Sequence, residues 1–506
     1  MAAQAWSVAG VLLVSAGTIA VGSLGLRRAR TTGDFYVASR AVTPGWNAAA
    51  VSGEYLSAAS FLGIAGLVLT FGYDALWYPV CYTAGYLVLL TLVAAPLRRS
   101  GAYTLPDFAQ IRLGSAAVRR AASVLVVLIG WLYLVPQVQG AALALSAQTG
   151  APRWAGGLLV CAVVLTTVAV GGMRSITFAQ AVQYWVKLTA LLIPAVVLGA
   201  VWHARHDRLP DEPGWLRPLG SGLDHPLYAT LSLIVAICLG TMGLPHVLVR
   251  FYTNPDGRNA RRTALIVIGL LSVFYQLPTL FGVFGRRYLP ELAGSRWADA
   301  TVLLLPERML SGLPGQVLGG LVTAGAFAAF LATASGLTVP VAGVLAQDVL
   351  GHRPLRRQRL RRFRASAVLS LAVPYVLSLA GARLSLAVMV GLAFALAACT
   401  FCPLLVLGIW WKGLTDRGAL AGLAVGGLLA GSAVLVTVLV SPQRGWPAAL
   451  LAQPAACIVP VAFGVMVAGS LLTRGRIRPD VGRVLVRLHA PESLAADLPS
   501  LDRSAR

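Results

Sequence analysis

Apolar runs of about twenty residues, the length a helix needs to cross a bilayer, recur along almost all of this 506-residue chain. Roughly thirteen can be drawn, at about 5–26, 46–71, 76–97, 122–147, 154–171, 176–202, 226–249, 263–285, 314–346, 366–382, 384–410, 418–440 and 448–472. Only 12% of residues are charged and the mean hydropathy is +0.76, against about 25% charged in soluble globular chains. In hydrocarbon every backbone N–H and C=O needs a partner within the protein, which leaves helices as the reading for such runs. The expected fold class is therefore an all-α polytopic membrane protein. The run up to Leu26 is read as its first span. It lacks an early basic region, Arg27 and Arg28 follow the apolar part, and no small-residue cleavage site comes after it.

A net charge of +23 invites a nucleic-acid reading, but the positive residues are nearly all arginine and sit mainly in short loops between apolar runs. That is how topology is marked in membrane proteins. One set of alternate loops holds Arg27, Arg28, Arg30 and Arg40, then Arg98 to Arg120, Arg250 to Arg262, and Arg353 to Arg364. Placing this set in the cytoplasm puts the N-terminus outside and the C-terminus inside, in the cell membrane. The run from Arg353 to Arg364 is read as a topology determinant facing anionic lipid, and the stretch after Arg474 as a short cytoplasmic extension. Cys399 and Cys402 form a CxxC, which on a membrane helix is an i, i+3 pair suited to packing.

Two runs are polar where a simple span would be leucine and valine. The second carries Gly53-Glu54-Tyr55-Leu56-Ser57-Ala58-Ala59-Ser60-Phe61-Leu62-Gly63, and the seventh carries Gly240-Thr241-Met242-Gly243-Leu244-Pro245-His246. Gly and Pro release backbone groups from the helical ladder, and in a membrane those groups must line a cavity or bind something. Interrupted helices in corresponding positions of two halves point to a transporter site. Two five-span repeats are thus expected, at 46–202 and 226–410. They are preceded by a first helix and loop (1–45), separated by an extracellular loop (203–225), and followed by two helices (411–473) and a tail (474–506). Glu54, an ionisable residue within a span, is a candidate coupling group. Tyr55, Ser57, Ser60, Thr241 and His246 are the candidate substrate contacts, with half-helix N-termini supplying positive dipole ends for an anion. Lys187 is expected to snorkel to an interface, and Asp107 and Arg174 to pin loops together.

Asp34-Phe35-Tyr36-Val37-Ala38-Ser39-Arg40, the Gly53–Gly63 stretch, Thr104-Leu105-Pro106-Asp107-Phe108, Gly171-Gly172-Met173-Arg174, the stretch from Gly240 to Thr253 and the segment around Thr333 resemble the sodium:solute symporter family. They look most like its cation/acetate, or monocarboxylate, branch. The resemblance implies a LeuT-type 5+5 inverted-repeat core and Na+-coupled uptake of a short monocarboxylate, with Na+ as coupling ion and no cofactor. It also implies a Na+ site made of the carbonyls of Gly53 and Leu56 with Ala329, Ala332 and Thr333. Many members have two adjacent hydroxyl residues where this chain has Ala332-Thr333. Either Thr333 with Ser57 or water completes the coordination, or a proton is used and Glu54 carries it. Symport of another small solute such as proline is the alternative within the class. A membrane transferase would need an acidic or histidine cluster at a membrane face, and the spans offer Glu54, His246 and Lys187. A sensor would need an output domain, and none follows Arg474.

Overall fold

The computed structural model describes residues 2–24, 42–170, 173–220, 222–349, 356–380, 384–440 and 445–491. The 34–40 motif, the arginines of the first loop, the Gly171-Gly172 pair and residues 353–355 of the basic run lie outside the described residues, as does the Arg174 side chain. The described residues are helical, with turns and no strand.

Sixteen helices carry the architecture: α1 (Ala2–Leu24), α2 (Pro44–Tyr55), α3 (Ile64–Phe71), α4 (Trp77–Leu92), α5 (Ala116–Thr149), α6 (Arg153–Val170), α7 (Met173–Ala204), α8 (Pro226–Gly240), α9 (Pro245–Phe251), α10 (Gly257–Tyr288), α11 (Leu313–Val344), α12 (Arg356–Leu379), α13 (Leu386–Trp410), α14 (Asp416–Val440), α15 (Ala455–Leu472) and α16 (Val481–His489). Among the described residues eleven stretches are long and apolar enough to cross a membrane, and a shorter apolar helix covers Arg153–Ala169. One of the eleven, Ala59–Leu92, is broken at Gly72. There a φ of 58° and the Trp215 carbonyl leave no room for a side chain. It holds the end of the second expected span and most of the third.

The helix contacts of α2–α7 recur in matching pairs among α8–α13. The first broken helix lies along α7, and the second lies along α13. The arms α2 and α3 pack on α10, while α8 packs on α4. The pairs α5–α13 and α7–α11 are likewise counterparts, and α5–α11 and α6–α12 cross between the halves. This pairing is that of the LeuT-type core implied by the family resemblance. Outside it, α1 lies against α11, and α14 and α15 pair with each other and rest on the second half.

The stretch after Arg474 holds no domain among the described residues, but it does fold. Val481, Val484, Leu485 and Leu488 recur at helical spacing on α16, which packs against the Ala94–Arg99 helix. Arg99 donates to the His489 carbonyl at 2.9 Å. Asp107 pairs with Arg119 at 2.8 Å, and Arg119 with Asp348 at 2.9 Å. Asp107 therefore ties the Leu105–Leu113 helix to α5, and Arg119 ties α5 to the end of α11.

Candidate transport site

The first interruption falls one turn later than its glycine suggests. Helix α2 runs unbroken through Gly53 and ends at Tyr55, and Leu56 leaves the helix with φ −72° and ψ 86°. After Ser57 and Ala58 the chain re-enters a helix through a wide π-type turn, Ala59–Gly63. Gly53 serves packing instead, since a Cβ there would overlap the carbonyl oxygen of Gln180 on α7. The backbone groups freed by the break are taken by side chains from three other helices. The Ala58 N–H donates to Oε1 of Gln137 at 2.9 Å. The Lys187 ammonium donates to the carbonyls of Gly53 and Leu56, at 2.8 Å for Leu56. Thr333 Oγ1 donates to the Glu54 carbonyl at 2.6 Å. Removing one such partner leaves a buried polar group unmet at about 1–3 kcal/mol. Gln137→Leu is therefore expected to lower the thermal stability of the purified protein by that amount, measured as a shift in its unfolding transition.

At the second interruption α8 ends at Gly240, Thr241–Gly243 form a tight 3-10 turn, and Leu244 is extended (φ −77°, ψ 117°) before Pro245 opens α9. Proline at the first helical position gives up an N–H that has no intrahelical acceptor. Gly240 and Gly243 lie against the Phe394 and Ala397 carbonyls of α13, as Gly53 lies against α7.

The two broken helices are joined by a buried ion pair. Arg250, at the end of α9, donates from Nε to Glu54 Oε2 at 2.6 Å, and both side chains are almost wholly buried. Its other nitrogens reach Thr177 Oγ1 at 2.7 Å and Gln180 Oε1. Gln180 in turn donates to the Ala332 carbonyl at 2.8 Å, and Asn47 donates to the Arg250 carbonyl at 3.1 Å. Two expectations are corrected here. Arg250 belongs to the core and not to a basic loop, because its guanidinium has a carboxylate to meet. Lys187 does not snorkel, because it is fully buried and its ammonium closes the end of α2.

On the other side of the breaks the lining is aromatic. The Tyr55 hydroxyl lies 3.2 Å from Thr241 Oγ1 and donates to the Tyr82 carbonyl. The His246 ring meets Tyr133 edge-on at 5.0 Å between centroids, Ser57 lies beside Tyr133, and Phe394 packs against Tyr55, Tyr82 and Tyr133. Ser60 turns to Tyr275, 3.1 Å away. Both His246 nitrogens and the hydroxyls of Tyr82 and Tyr86 are buried with no hydrogen-bond partner among the described residues. The structure thus brings Tyr55, Ser57, Thr241 and His246 to one neighbourhood and directs Ser60 to α10.

Of the residues named for Na+, Gly53, Leu56, Ala332 and Thr333 converge where α2, α7 and α11 meet. An oxygen of each already makes the bond described above, and Ala329 is buried one turn before Thr333 on α11. Sequence reasoning passed over Gln137, Gln180, Tyr82, Tyr86, Tyr133 and Phe394. A glutamine inside an apolar span was the signal for the first two, since it is costly in hydrocarbon without a partner. Cys399 and Cys402 are buried free thiols on α13, in keeping with packing.

Residues 35–426 match the sodium:solute symporter family. The chain belongs to that family. An uncharacterized symporter of Bacillus subtilis (strain 168), YwcA, is 30% identical over 467 residues, covering 88% of this chain and 90% of its own. A Na+-coupled sialic acid symporter in a substrate-bound, outward-open state has a similar structure. Its TM-score is 0.72 at 13% identity, over 93% of this chain and 97% of that one. MhsT in complex with L-phenylalanine gives a TM-score of 0.55 at 14% identity, over 85% and 99%. At these identities the structural likeness is one of fold. This sodium:solute symporter is a multi-pass membrane protein with the family and fold of transporters, not of enzymes. In the family Na+ acts as a coupling ion and not as a bound cofactor.

Proposed function

We propose that this symporter carries a short monocarboxylate, of the size of acetate, propionate or pyruvate, into the cell by alternating access. The solute would sit between the two breaks, against Tyr55, Ser57, Thr241 and His246, and two five-helix repeats, 46–202 and 226–410, would rock around it. The observation that carries this reading is the balance of buried groups. His246, Tyr82 and Tyr86 have hydrogen-bonding capacity to spare, and among the described residues the charged side chains joined to the breaks are one carboxylate, Glu54, and two cations, Arg250 and Lys187. An anion brings the charge this set lacks. Loop arginines favour an outside N-terminus and a cytoplasmic C-terminus.

The test is uptake of labelled acetate into proteoliposomes, with and without an inward Na+ gradient, and with proline as competitor. Gradient-dependent uptake that excess proline leaves unchanged is the expected result, and competition by proline contradicts the substrate class. His246→Leu should raise the solute concentration for half-maximal uptake tenfold or more. It should barely move the unfolding temperature, because the imidazole has no hydrogen bond to lose among the described residues.

A further inference from the structure

The family resemblance implies Na+ on the Gly53 and Leu56 carbonyls, and the structure places there an ammonium that belongs to the chain. Lys187 reaches both oxygens from α7 and is wholly buried. The last carbonyls of a helix have no intrahelical donor and carry the negative end of its dipole, so they draw a cation. At α2 that cation is covalently tethered. Two more oxygens of the expected set, on Thr333 and Ala332, are also engaged. Thr333 Oγ1 gives its proton to the Glu54 carbonyl, and the Ala332 carbonyl accepts from Gln180. Ala332 offers no side-chain oxygen. A sodium ion bound to the Gly53 and Leu56 oxygens would have to share them with an ammonium, and two like charges in contact in a buried site repel strongly.

We propose that Lys187 replaces the metal at this position: its ammonium is a built-in cation that clasps α2 to α7, and any Na+ this symporter uses binds elsewhere. The proposal concerns the Na+ position and not the solute, so it can hold whether or not the monocarboxylate reading does. It also reverses what the family resemblance implies for Thr333. As a metal ligand, Thr333 should be needed for the response to Na+. As a donor to Glu54, it should not.

The experiment is thermal unfolding and radioactive Na+ binding on the purified full chain, in NaCl against N-methylglucamine chloride and with no solute present. Wild type, Lys187→Met, Lys187→Ala and Thr333→Val are compared. Removing the ammonium is expected to make the chain more dependent on Na+. Lys187→Ala, which leaves space for a free cation, should gain a Na+-dependent rise in unfolding temperature of roughly 2 °C or more over the wild-type response. It should also bind additional Na+, and methylammonium should produce the same stabilisation. Lys187→Met, which fills the space without a charge, should be destabilised and should not be rescued. Thr333→Val should keep the wild-type Na+ response. The proposal is overturned if Thr333→Val loses Na+ binding, or if Lys187→Ala responds to Na+ as the wild type does. Should neither lysine variant fold, Thr333→Val decides alone.

Discussion

Arg250→Leu is expected to abolish solute uptake and to destabilise the protein by about 3–5 kcal/mol, the range for leaving one member of a buried ion pair without its partner. The effect should be large because Arg250 does more than neutralise Glu54. Its guanidinium reaches Glu54, Thr177 and Gln180 and so ties both broken helices to α7. A double variant, Glu54→Leu with Arg250→Leu, removes both charges and is expected to recover much of the stability. It should not recover uptake, because the ion pair that ties the two interrupted helices to each other and to α7 would be gone. Unfolding of the detergent-solubilised protein measures the first quantity and uptake into proteoliposomes the second. If the double variant is no more stable than Arg250→Leu, the pair is not the main partner of either residue.

Gly53→Ala is expected to be nearly as damaging, although it adds a single methyl group. That carbon would overlap the backbone oxygen of Gln180, which cannot swing aside as a side chain could. Overpacking of this kind costs about 1–3 kcal/mol. Here it also pushes the end of α2 away from Lys187 and Thr333. A fall in uptake of tenfold or more should accompany the loss of stability. Gly45→Ala, on the same helix with open space around it, serves as the control and should behave as wild type.

The fold was legible because length and hydropathy alone mark most of the membrane crossings, and because Gly and Pro punctuate two of them in corresponding places. The neighbourhood of the site was legible for the same reason. Its wiring was not. Gly53 marked a close approach between helices and not the point of unwinding, which falls at Leu56 to Ala58. No residue type there announces it. Arg250 stands a few residues from Arg258, Arg261 and Arg262, so charge counting put it in the loop. The pairing with Glu54, 196 positions away, follows only from the packing of α2 on α9. Lys187 lies among apolar neighbours in an unbroken helix, and a long stem beside lipid suggests an interface. What fixes its position is the pair of released carbonyls opposite it, and those exist only once the first helix has broken.

The most direct test of the account is an experimental structure of the symporter with acetate or pyruvate bound. The predicted result is solute density between the two breaks, in contact with His246 and Thr241, with the Glu54–Arg250 pair intact. Solute bound away from both breaks, or continuous helix through Leu56 and Leu244, would contradict it.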